Sequence, residues 1–304
     1  MIRGGLIRLV GAVDVGGVEQ RRAGGIAYLE LVTELLQRQR LADPVGGSFE
    51  AADLQWWFTR DPHPTDDDAV FWLDGGDPLG AVVFTRWGPT RYGCDMVGSP
   101  PPAAAWEFVR RRCAELPDAS VEMEVSDEAA ATEAGFVDVA EEYEITWLDA
   151  ADRPAPRPFP DGYTLGPRPD QDGPHPMIKR NGAEVEARLA LCSLYDPDLD
   201  LAVRGPAADV AGYALFWPDR RTRVGLIEPM RVEDEHAGRG VAGALFRAGL
   251  DLLAARGCTR LKVMHSVANP AATRLYHGAG FRTERRVRVL LRPPAVAGAT
   301  TAGR

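Results

Sequence analysis

The chain has few cysteines, and none of them is paired in sequence. Cys94, Cys113, Cys192 and Cys258 are far apart, form no CxxC pair, and show no ligand-like spacing to the five histidines. In an intracellular chain of this size such cysteines are free thiols and not disulfides or zinc ligands, and a buried apolar position suits each of them. We therefore expect no metal site.

Long apolar runs are also missing. No stretch approaches the roughly 20 apolar residues that cross a bilayer. The N-terminal segment MIRGGLIRLVGAVDVGG lacks the continuous apolar core of a secretory signal. These absences predict a cytoplasmic protein without a membrane partner.

An overall basic charge is absent as well, since the formal net charge is −9. This balance argues against a general nucleic-acid binder and is compatible with a cationic acceptor or with plain solubility. Residues 254–292 are the exception, with nine basic side chains against Glu284 alone. They indicate either a bound polyanion or a basic face balanced by acids elsewhere. A nucleic-acid module in this region would bind with strong salt dependence, but we predict no nucleic-acid partner.

The chain divides at a proline-rich segment and repeats one pattern on either side. Prolines alternate in ADRPAPRPFP, which predicts an extended linker at 151–160 between units at 1–150 and 161–293, with a flexible tail at 294–304. Each unit has a hairpin, a strand, a helix, a strand, a short helix, Gly-Phe and a final strand. This pattern predicts an α/β (α+β) unit used in tandem.

A glycine-rich turn in the second unit joins a predicted strand, Val224–Val232, to a predicted helix that ends at Ala255. Gly238 and Gly240 permit positive φ angles, and the helix begins directly afterwards. Unpaired N–H groups at the positive end of a helix dipole suit a pyrophosphate. Arg239 can add an ionic contact. A tight turn without a ligand is the alternative.

A second motif lies after the next strand. Asn269 is followed by Ala272, Tyr276 and Gly280-Phe281, at three, seven, eleven and twelve residues. This spacing, with Gly240 and Ala242 in the preceding loop, resembles the GNAT superfamily of acyl-CoA-dependent N-acetyltransferases, in its tandem two-domain form. One position departs from the family pattern: Ala237 replaces an Arg or Gln, so that contact is missing or comes from Arg239 or His236.

The resemblance implies a fold, a donor and a set of contacts. Each unit would be a mixed, mostly antiparallel sheet flanked by helices, with splayed central strands in the second unit to admit acetyl-CoA. Tyr276 would protonate the departing thiolate. The implied cofactor-binding residues are Met230, Val232, Ala237, Gly238, Arg239, Gly240, Val241, Ala242, Asn269, Ala272 and Tyr276. Asn269 before Pro270 is also a complete helix N-cap.

Two residues are candidates for the catalytic base. Glu228 is two residues from Met230, hence on the same side of the pleat, and can deprotonate an ammonium or anchor its charge. An ion pair with an arginine is the structural alternative. His265, at the end of the neighbouring strand, is the second candidate, although a hydrogen-bonded structural histidine is as consistent with its position.

The first unit lacks the corresponding chemistry. Gly-Ser-Pro-Pro-Pro follows Val97, and prolines supply no N–H donors. Counting back from Gly135-Phe136 places Glu124 and Ala131 at the Asn and Tyr positions of the motif. We predict a degenerate, non-catalytic unit. Its apolar cluster, Leu54, Trp56, Trp57 and Phe58, indicates either core packing or a wall of the acceptor pocket.

The sequence thus predicts an acyltransferase that moves an acetyl group from acetyl-CoA to the amine of a small molecule or a peptide N-terminus, by direct attack in a ternary complex. The alternative is a non-catalytic acyl-CoA-binding regulatory or scaffold protein. The loss of the Arg or Gln at Ala237 permits this alternative, whereas the retained Tyr276 argues against it. We expect a monomer or a homodimer.

Overall fold

The computed structural model describes residues 13–15, 17–124 and 127–295, so most of the expected tail, 296–304, lies outside the described residues. The elements of the first half are β1 (Val13–Val15), β2 (Val18–Arg22), α1 (Gly25–Ala42), α2 (Ala51–Phe58), β3 (Ala69–Asp74), β4 (Asp77–Gly88), β5 (Arg91–Gly98), α3 (Pro102–Glu115), β6 (Ser120–Glu124), α4 (Glu128–Glu133) and β7 (Val137–Asp149).

The second half repeats this order from its hairpin onward. Its elements are β8 (Thr164–Pro167), α5 (Ile178–Asn181), α6 (Val185–Leu189), β9 (Asp200–Arg204), β10 (Val210–Asp219), β11 (Val224–Val232), α7 (Val241–Ala255), β12 (Arg260–Ser266), α8 (Pro270–Gly278) and β13 (Arg282–Arg292). The predicted class, a mixed and mostly antiparallel sheet with flanking helices in two similar units, is confirmed. No helix in the described ranges is long and apolar enough to cross a membrane.

The central strands separate in both halves. β11 and β12 are parallel and pair only at Val224–Leu226. β5 and β6 are likewise parallel and pair only at Arg91–Gly93. The expected splay is therefore present in the second half, and the first half has the same feature. What distinguishes the halves is the turn that follows each strand.

The final strand of each half lies in the sheet of the other half. β7 pairs with β12, from Asp149 opposite Arg260 to Tyr143 opposite Ser266. β13 pairs with β7 and also with β6 of the first half. The strand order β1-β2-β3-β4-β5-β6-β13-β7-β12-β11-β10-β9-β8 is thus one continuous sheet. Backbone hydrogen bonds join the halves, while the division at residues 151–160 stays a prediction.

Three apolar cores pack against this sheet. One lies beneath α7 and a second beneath α3. The third is shared, because α1 and α2 of the first half pack on residues of the second half such as Tyr213, Trp217 and Leu226. Leu54, Trp56 and Phe58 belong to this shared core. As a result α2 lies beside β11, where the central strands begin to part.

The basic stretch at 254–292 is largely neutralised within the chain. Five of its side chains form ion pairs with acids: Arg256 with Asp196 and Asp198, Lys262 with Glu50, Arg285 with Glu124, Arg286 with Glu144, and Arg288 with Glu128 and Asp138. The structure therefore favours the balanced basic face over a site for a polyanion in this stretch.

Candidate active site

The glycine turn before α7 has the geometry of an anion site. Gly238 and Gly240 have φ angles of 72° and 89°, a region that residues with a side chain rarely adopt. Residues 237–240 are exposed, whereas Val241 is buried and Ala242 is half-buried. No side-chain hydrogen bond caps α7 at Gly240. The N–H groups of its first turn are therefore available to water or to an anion.

An arginine that belongs to neither sequence motif lies at the start of this helix. Arg157, from the proline-rich segment, donates from Nη2 to the Gly240 carbonyl at 2.6 Å. A Cβ atom at Gly243 would lie 2.2 Å from the same Nη2, so the glycine permits the close approach. Arg239 is exposed beside it. The turn thus has two basic side chains despite Ala237.

His236 has a structural role in this region and does not replace the missing Arg or Gln. The side chain is buried, with Nδ1 2.9 Å from the Tyr163 hydroxyl and Nε2 2.8 Å from Asp209 Oδ2. Both ring nitrogens are therefore engaged within the second half. Of the two substitutes that the sequence offered for the Ala237 position, only Arg239 remains free of such bonds in the described structure.

The second motif forms α8 and ends in a buried tyrosine. Asn269 accepts the Ala272 N–H at 3.1 Å, so its predicted N-cap is present. Tyr276 packs against Phe246 and His265, with ring centroids 5.2 and 5.1 Å away. Burial, with a smaller effect of Glu228, raises the pKa of Tyr276 to about 12. The hydroxyl thus keeps its proton near neutral pH, as a general acid must.

The His265 ring packs against the Tyr276 ring. Its Nε2 is 3.2 Å from Thr273 Oγ1 and 3.6 Å from Glu144 Oε2. Burial lowers the pKa of His265, although Glu144 opposes this shift. A neutral imidazole with these neighbours fits the structural alternative as well as the role of a base.

Glu144, His265 and His277 offer three potential ligand atoms within 4.8 Å of one another. This spacing would suit a metal ion. However, Glu144 already pairs through Oε1 with Arg286 at 2.7 Å, and through Oε2 with His277 at 3.0 Å. These contacts explain the cluster without an ion, so we assign it no role in the site.

Glu228 lies at an irregularity in β11. Pairing with β10 shifts between Ile227 and Met230, so β11 has one residue more than its partner there. Pro229 has no N–H for the ladder and is accommodated by this bulge. Trp217 Nε1 donates to the Glu228 carbonyl at 2.6 Å and fixes the bulged backbone.

The Glu228 carboxyl is paired with a second carboxyl from the first half. It shares a hydrogen bond with Asp53 of α2, and Trp57 Nε1 lies 3.4 Å from Glu228 Oε1. Asp53 Oδ2 also accepts the Glu50 N–H at 2.7 Å, as part of a capping box. Burial, reinforced by Asp53, raises the pKa of Glu228 well above its usual value. Burial raises the pKa of Asp53 too, so the pair holds a proton readily.

These carboxyls line a cavity of about 340 Å³ between the halves. One wall is aromatic. The centroid of the Trp57 ring lies 5.2 Å from that of Phe49 and 5.1 Å from that of Trp87. The guanidinium carbon of Arg60 lies 4.6 Å from the centroid of the Trp87 ring. The sequence left open whether Trp57 packs in the core or faces a pocket. Trp57 lines the cavity, while its neighbours in α2 form the core.

The remaining charged residues of the cavity are mainly acidic. Asp95 and Glu124 lie deep in its wall, and burial, with Glu124 and Asp53, raises the pKa of Asp95 to about 8. Glu122 is neutralised by Arg91, which donates to it at 2.7 and 2.9 Å. The carboxyl groups therefore outnumber the unpaired cations, and the cavity suits a cationic ligand.

The predicted residues thus lie along β11 and on the elements that follow it, in two groups. Tyr276, Glu228 and His265 surround the point where the strands part, and only Glu228 of these three lines the cavity. Met230 and Val232 are half-buried beyond the bulge, toward the glycine turn. The roles of all these residues stay predictions.

Comparison with known proteins accounts for the combination of glycine turn, splayed strands and buried tyrosine. Residues 174–281 match the model of the acetyltransferase (GNAT) family. In sequence, this part of the chain is similar to the GNAT family. The GNAT segment contains β9 to α8, and hence both motifs, Glu228 and His265.

Individual relatives agree with this assignment. A mycothiol acetyltransferase of Clavibacter michiganensis subsp. michiganensis is 35% identical over 88 residues, which make up 29% of this chain and 28% of that protein. The match therefore spans less than a third of the relative's length.

Two solved structures extend the likeness in fold to most of the chain. A GCN5-related N-acetyltransferase from Sphaerobacter thermophilus has a TM-score of 0.58 at 16% identity, over 92% of this chain and 97% of that one. A tandem GNAT protein from the clavulanic acid biosynthesis pathway has a TM-score of 0.58 at 16% identity, over 90% and 98%. At this identity the likeness shows the fold alone, and that fold is a tandem GNAT fold.

The buried Asp95 predicts a pH-dependent stability difference. Its pKa is about 8 in the folded protein and about 4 in an unfolded chain, so folding retains a proton and stability falls as pH rises between these values. Asp95→Asn removes this cost. Its melting temperature should exceed that of the parent by at least about 3 °C at pH 8.5, and by less at pH 5.

The matched control is Asp66→Asn, an exposed residue outside the cavity, which should show no difference that grows with pH. Calorimetric or fluorescence melting at the two pH values measures the effect. If the melting temperatures of Asp95→Asn and the parent differ equally at pH 5 and pH 8.5, Asp95 ionises normally and the description of the cavity is wrong.

Proposed function

We propose that this chain is an N-acetyltransferase that moves an acetyl group from acetyl-CoA to the amine of a small molecule or a peptide N-terminus in a ternary complex. The observation that carries the proposal is the position of Glu228. Its carboxyl lies where β11 and β12 part, in the wall of an acidic cavity, and the glycine turn lies at the far end of the same strand.

The residues around the glycine turn fit the donor. Exposed positions 237–240, with an uncapped helix start and two arginines, suit a pyrophosphate. Backbone groups of Met230 and Val232 would hold the pantetheine arm in the gap between β11 and β12, with Asn269 and Ala272 at its other side. When bound, acetyl-CoA supplies a thioester whose carbonyl carbon accepts the amine.

Side chains of the protein would accept the proton of the ammonium group and donate a proton to the leaving thiolate. An amine reaches the cavity as an ammonium, and the Glu228–Asp53 pair can hold its charge and accept its proton. Met230 N–H would stabilise charge on the acetyl oxygen. Tyr276, neutral because of its burial, keeps a proton at Oη for the leaving sulfur. His265 is the reserve base.

A non-catalytic acyl-CoA-binding protein is the alternative function. The absence of an Arg or Gln at position 237 permits it, but such a protein needs neither a buried tyrosine nor a carboxyl pair at the point of strand separation. The mycothiol acetyltransferase relative does not settle the acceptor, because the match covers 28% of that protein. A cytoplasmic location, a non-catalytic unit at 1–150 and a catalytic unit at 161–293 are parts of the proposal.

Donor binding can be tested at Gly240. Acetyl-CoA that binds only the folded state should raise the melting temperature of the parent. Gly240→Val forces a β-branched residue to φ 89° in the glycine turn. The increase in melting temperature on addition of acetyl-CoA should therefore disappear. Gly257→Val is the matched control, because Gly257 also has φ 89° but lies at the other end of α7.

Gly257→Val should lose comparable intrinsic stability and keep the ligand-induced shift. Thermal denaturation of each variant with and without acetyl-CoA measures both quantities. A full shift in Gly240→Val would locate the phosphate site elsewhere.

Catalysis can be tested at Glu228 and Tyr276 by thiol release across an amine panel. Glu228→Gln should be about 100-fold slower or worse, chiefly at pH values above the carboxyl's pKa and below that of the acceptor amine, where a base is available and needed. Tyr276→Phe should lower kcat to a similar degree and leave acetyl-CoA affinity nearly unchanged, because it removes one hydroxyl.

Tyr28→Phe is the control for loss of a buried hydroxyl, since Tyr28 lies in the shared core, and its kcat should match that of the parent. Turnover of Glu228→Gln or Tyr276→Phe within about threefold of the parent at every pH would assign that residue a structural role. For Glu228, His265→Gln would then be tested by the same profile.

A further inference from the structure

We propose that the acceptor carries two ammonium groups, one held at Glu228 for acetylation and the other bound by Asp95 of the first half. This inference rests on the proposed function, because it places both groups in the same cavity. In this proposal the first half, which lacks the glycine turn, contributes directly to substrate specificity.

Asp95 and Glu228 occupy equivalent positions in the two halves. In the second half, β11 pairs with β12 up to Leu226, and Glu228 is two residues further along. In the first half, β5 pairs with β6 up to Gly93, and Asp95 is two residues further along. The two carboxylates therefore occupy the same place in the two repeats, and both line the cavity between them.

Among the described residues, Asp95 also has a buried oxygen without a hydrogen-bond partner. Its residue is only 8% exposed, and in the described residues its Oδ2 atom has no hydrogen-bond donor. Buried polar atoms are nearly always bonded, and a buried carboxyl group without a hydrogen-bond partner is costly in either protonation state. Glu228, by contrast, has Asp53 and Trp57 beside it. A second ammonium in the ligand would supply the donor that Asp95 lacks.

The surroundings of Asp95 strengthen this assignment. Asp53 and Glu124 add negative charge next to it. Glu124 accepts a hydrogen bond from Ser48 Oγ, and Arg285 is 3.9 Å away from it. No described basic residue forms an ion pair with Asp95 itself.

The size and the walls of the cavity indicate the kind of diamine. A volume of about 340 Å³ is at the lower end of the range for small-molecule sites. The faces of Trp57 and Trp87 suit methylene groups and can attract a cation. Arg60, which lines the cavity and lies over Trp87, disfavours a third positive charge beside it. A short aliphatic chain with an ammonium at each end meets these conditions.

The test compares diamines with monoamines of the same length. The full-length parent, Asp95→Asn and the surface control Asp66→Asn would be assayed with 1,3-diaminopropane, 1,4-diaminobutane and 1,5-diaminopentane, each beside its monoamine. Binding is measured by calorimetry in the presence of CoA, and turnover by thiol release. Melting curves confirm that each variant is folded.

In the parent and in Asp66→Asn, at least one diamine should bind about tenfold more tightly than its monoamine, as expected for one charge-assisted contact in a buried site. In Asp95→Asn that ratio should fall to nearly one. Equal binding of diamines and monoamines in the parent, or an unchanged ratio in Asp95→Asn, would overturn the inference. So would Ca²⁺ alone binding in an Asp95-dependent way while no diamine does.

The turnover measurements distinguish a failure of this inference from a failure of the proposed function. If monoamines and diamines are acetylated equally well and bind equally, the acetyltransferase proposal stands and the second ammonium site is wrong. If diamines bind in the Asp95-dependent manner but no thiol is released with any amine, the binding site stands and the catalytic proposal fails.

Discussion

The arrangement of the site depends on one buried ion pair between the halves. Lys262, at the last paired position of β12 before the strands part, has no exposed surface, and its Nζ lies 2.9 Å from Glu50 and 2.6 Å from the Ser48 carbonyl. Burial alone would raise the pKa of Glu50, but Lys262 and Arg40 hold it below its usual value. Removing one partner of such a pair typically costs about 3–5 kcal/mol. Because Glu50 is the N-cap of α2, this contact sets where Asp53 and Trp57 meet Glu228.

The two halves share a scaffold and differ in the turn that follows the parallel central strand. Both have parallel central strands that separate after three paired residues, and each contributes its last strand to the other's sheet. The second half follows its strand with Gly238 and Gly240, whereas the first continues into prolines that lack N–H donors. In our account the donor therefore binds in one half, while α2 and β5 of the other half form much of the acceptor cavity.

The sequence predicted what depends on local backbone chemistry. The N-cap at Asn269 and the left-handed glycines at 238 and 240 follow from constraints on neighbouring residues, and the structure contains both. The glycine turn and Tyr276 were found because their spacing is a motif.

The partners of Glu228 were missed because long-range packing creates them. Asp53 belongs to a recognisable capping box, but nothing in that motif says that its carboxyl meets β11. Asp95 could have been matched to Glu228 by aligning the central strands, whereas counting from Gly135-Phe136 led only to Glu124 and Ala131. The pairing of β7 and β13 with strands of the other half could not be predicted from the sequence, because the periodicity of a strand does not indicate which strand it pairs with.

The central claim is that one half binds the donor and both halves bind the acceptor. Hydrogen–deuterium exchange of the full chain, with CoA and with a diamine in separate experiments, tests it most directly. CoA should slow exchange at residues 230–243 and leave residues 98–105 unchanged, whereas the diamine should slow exchange around both Glu228 and Asp95. Protection of residues 98–105 by CoA, or diamine protection confined to the second half, would contradict this account.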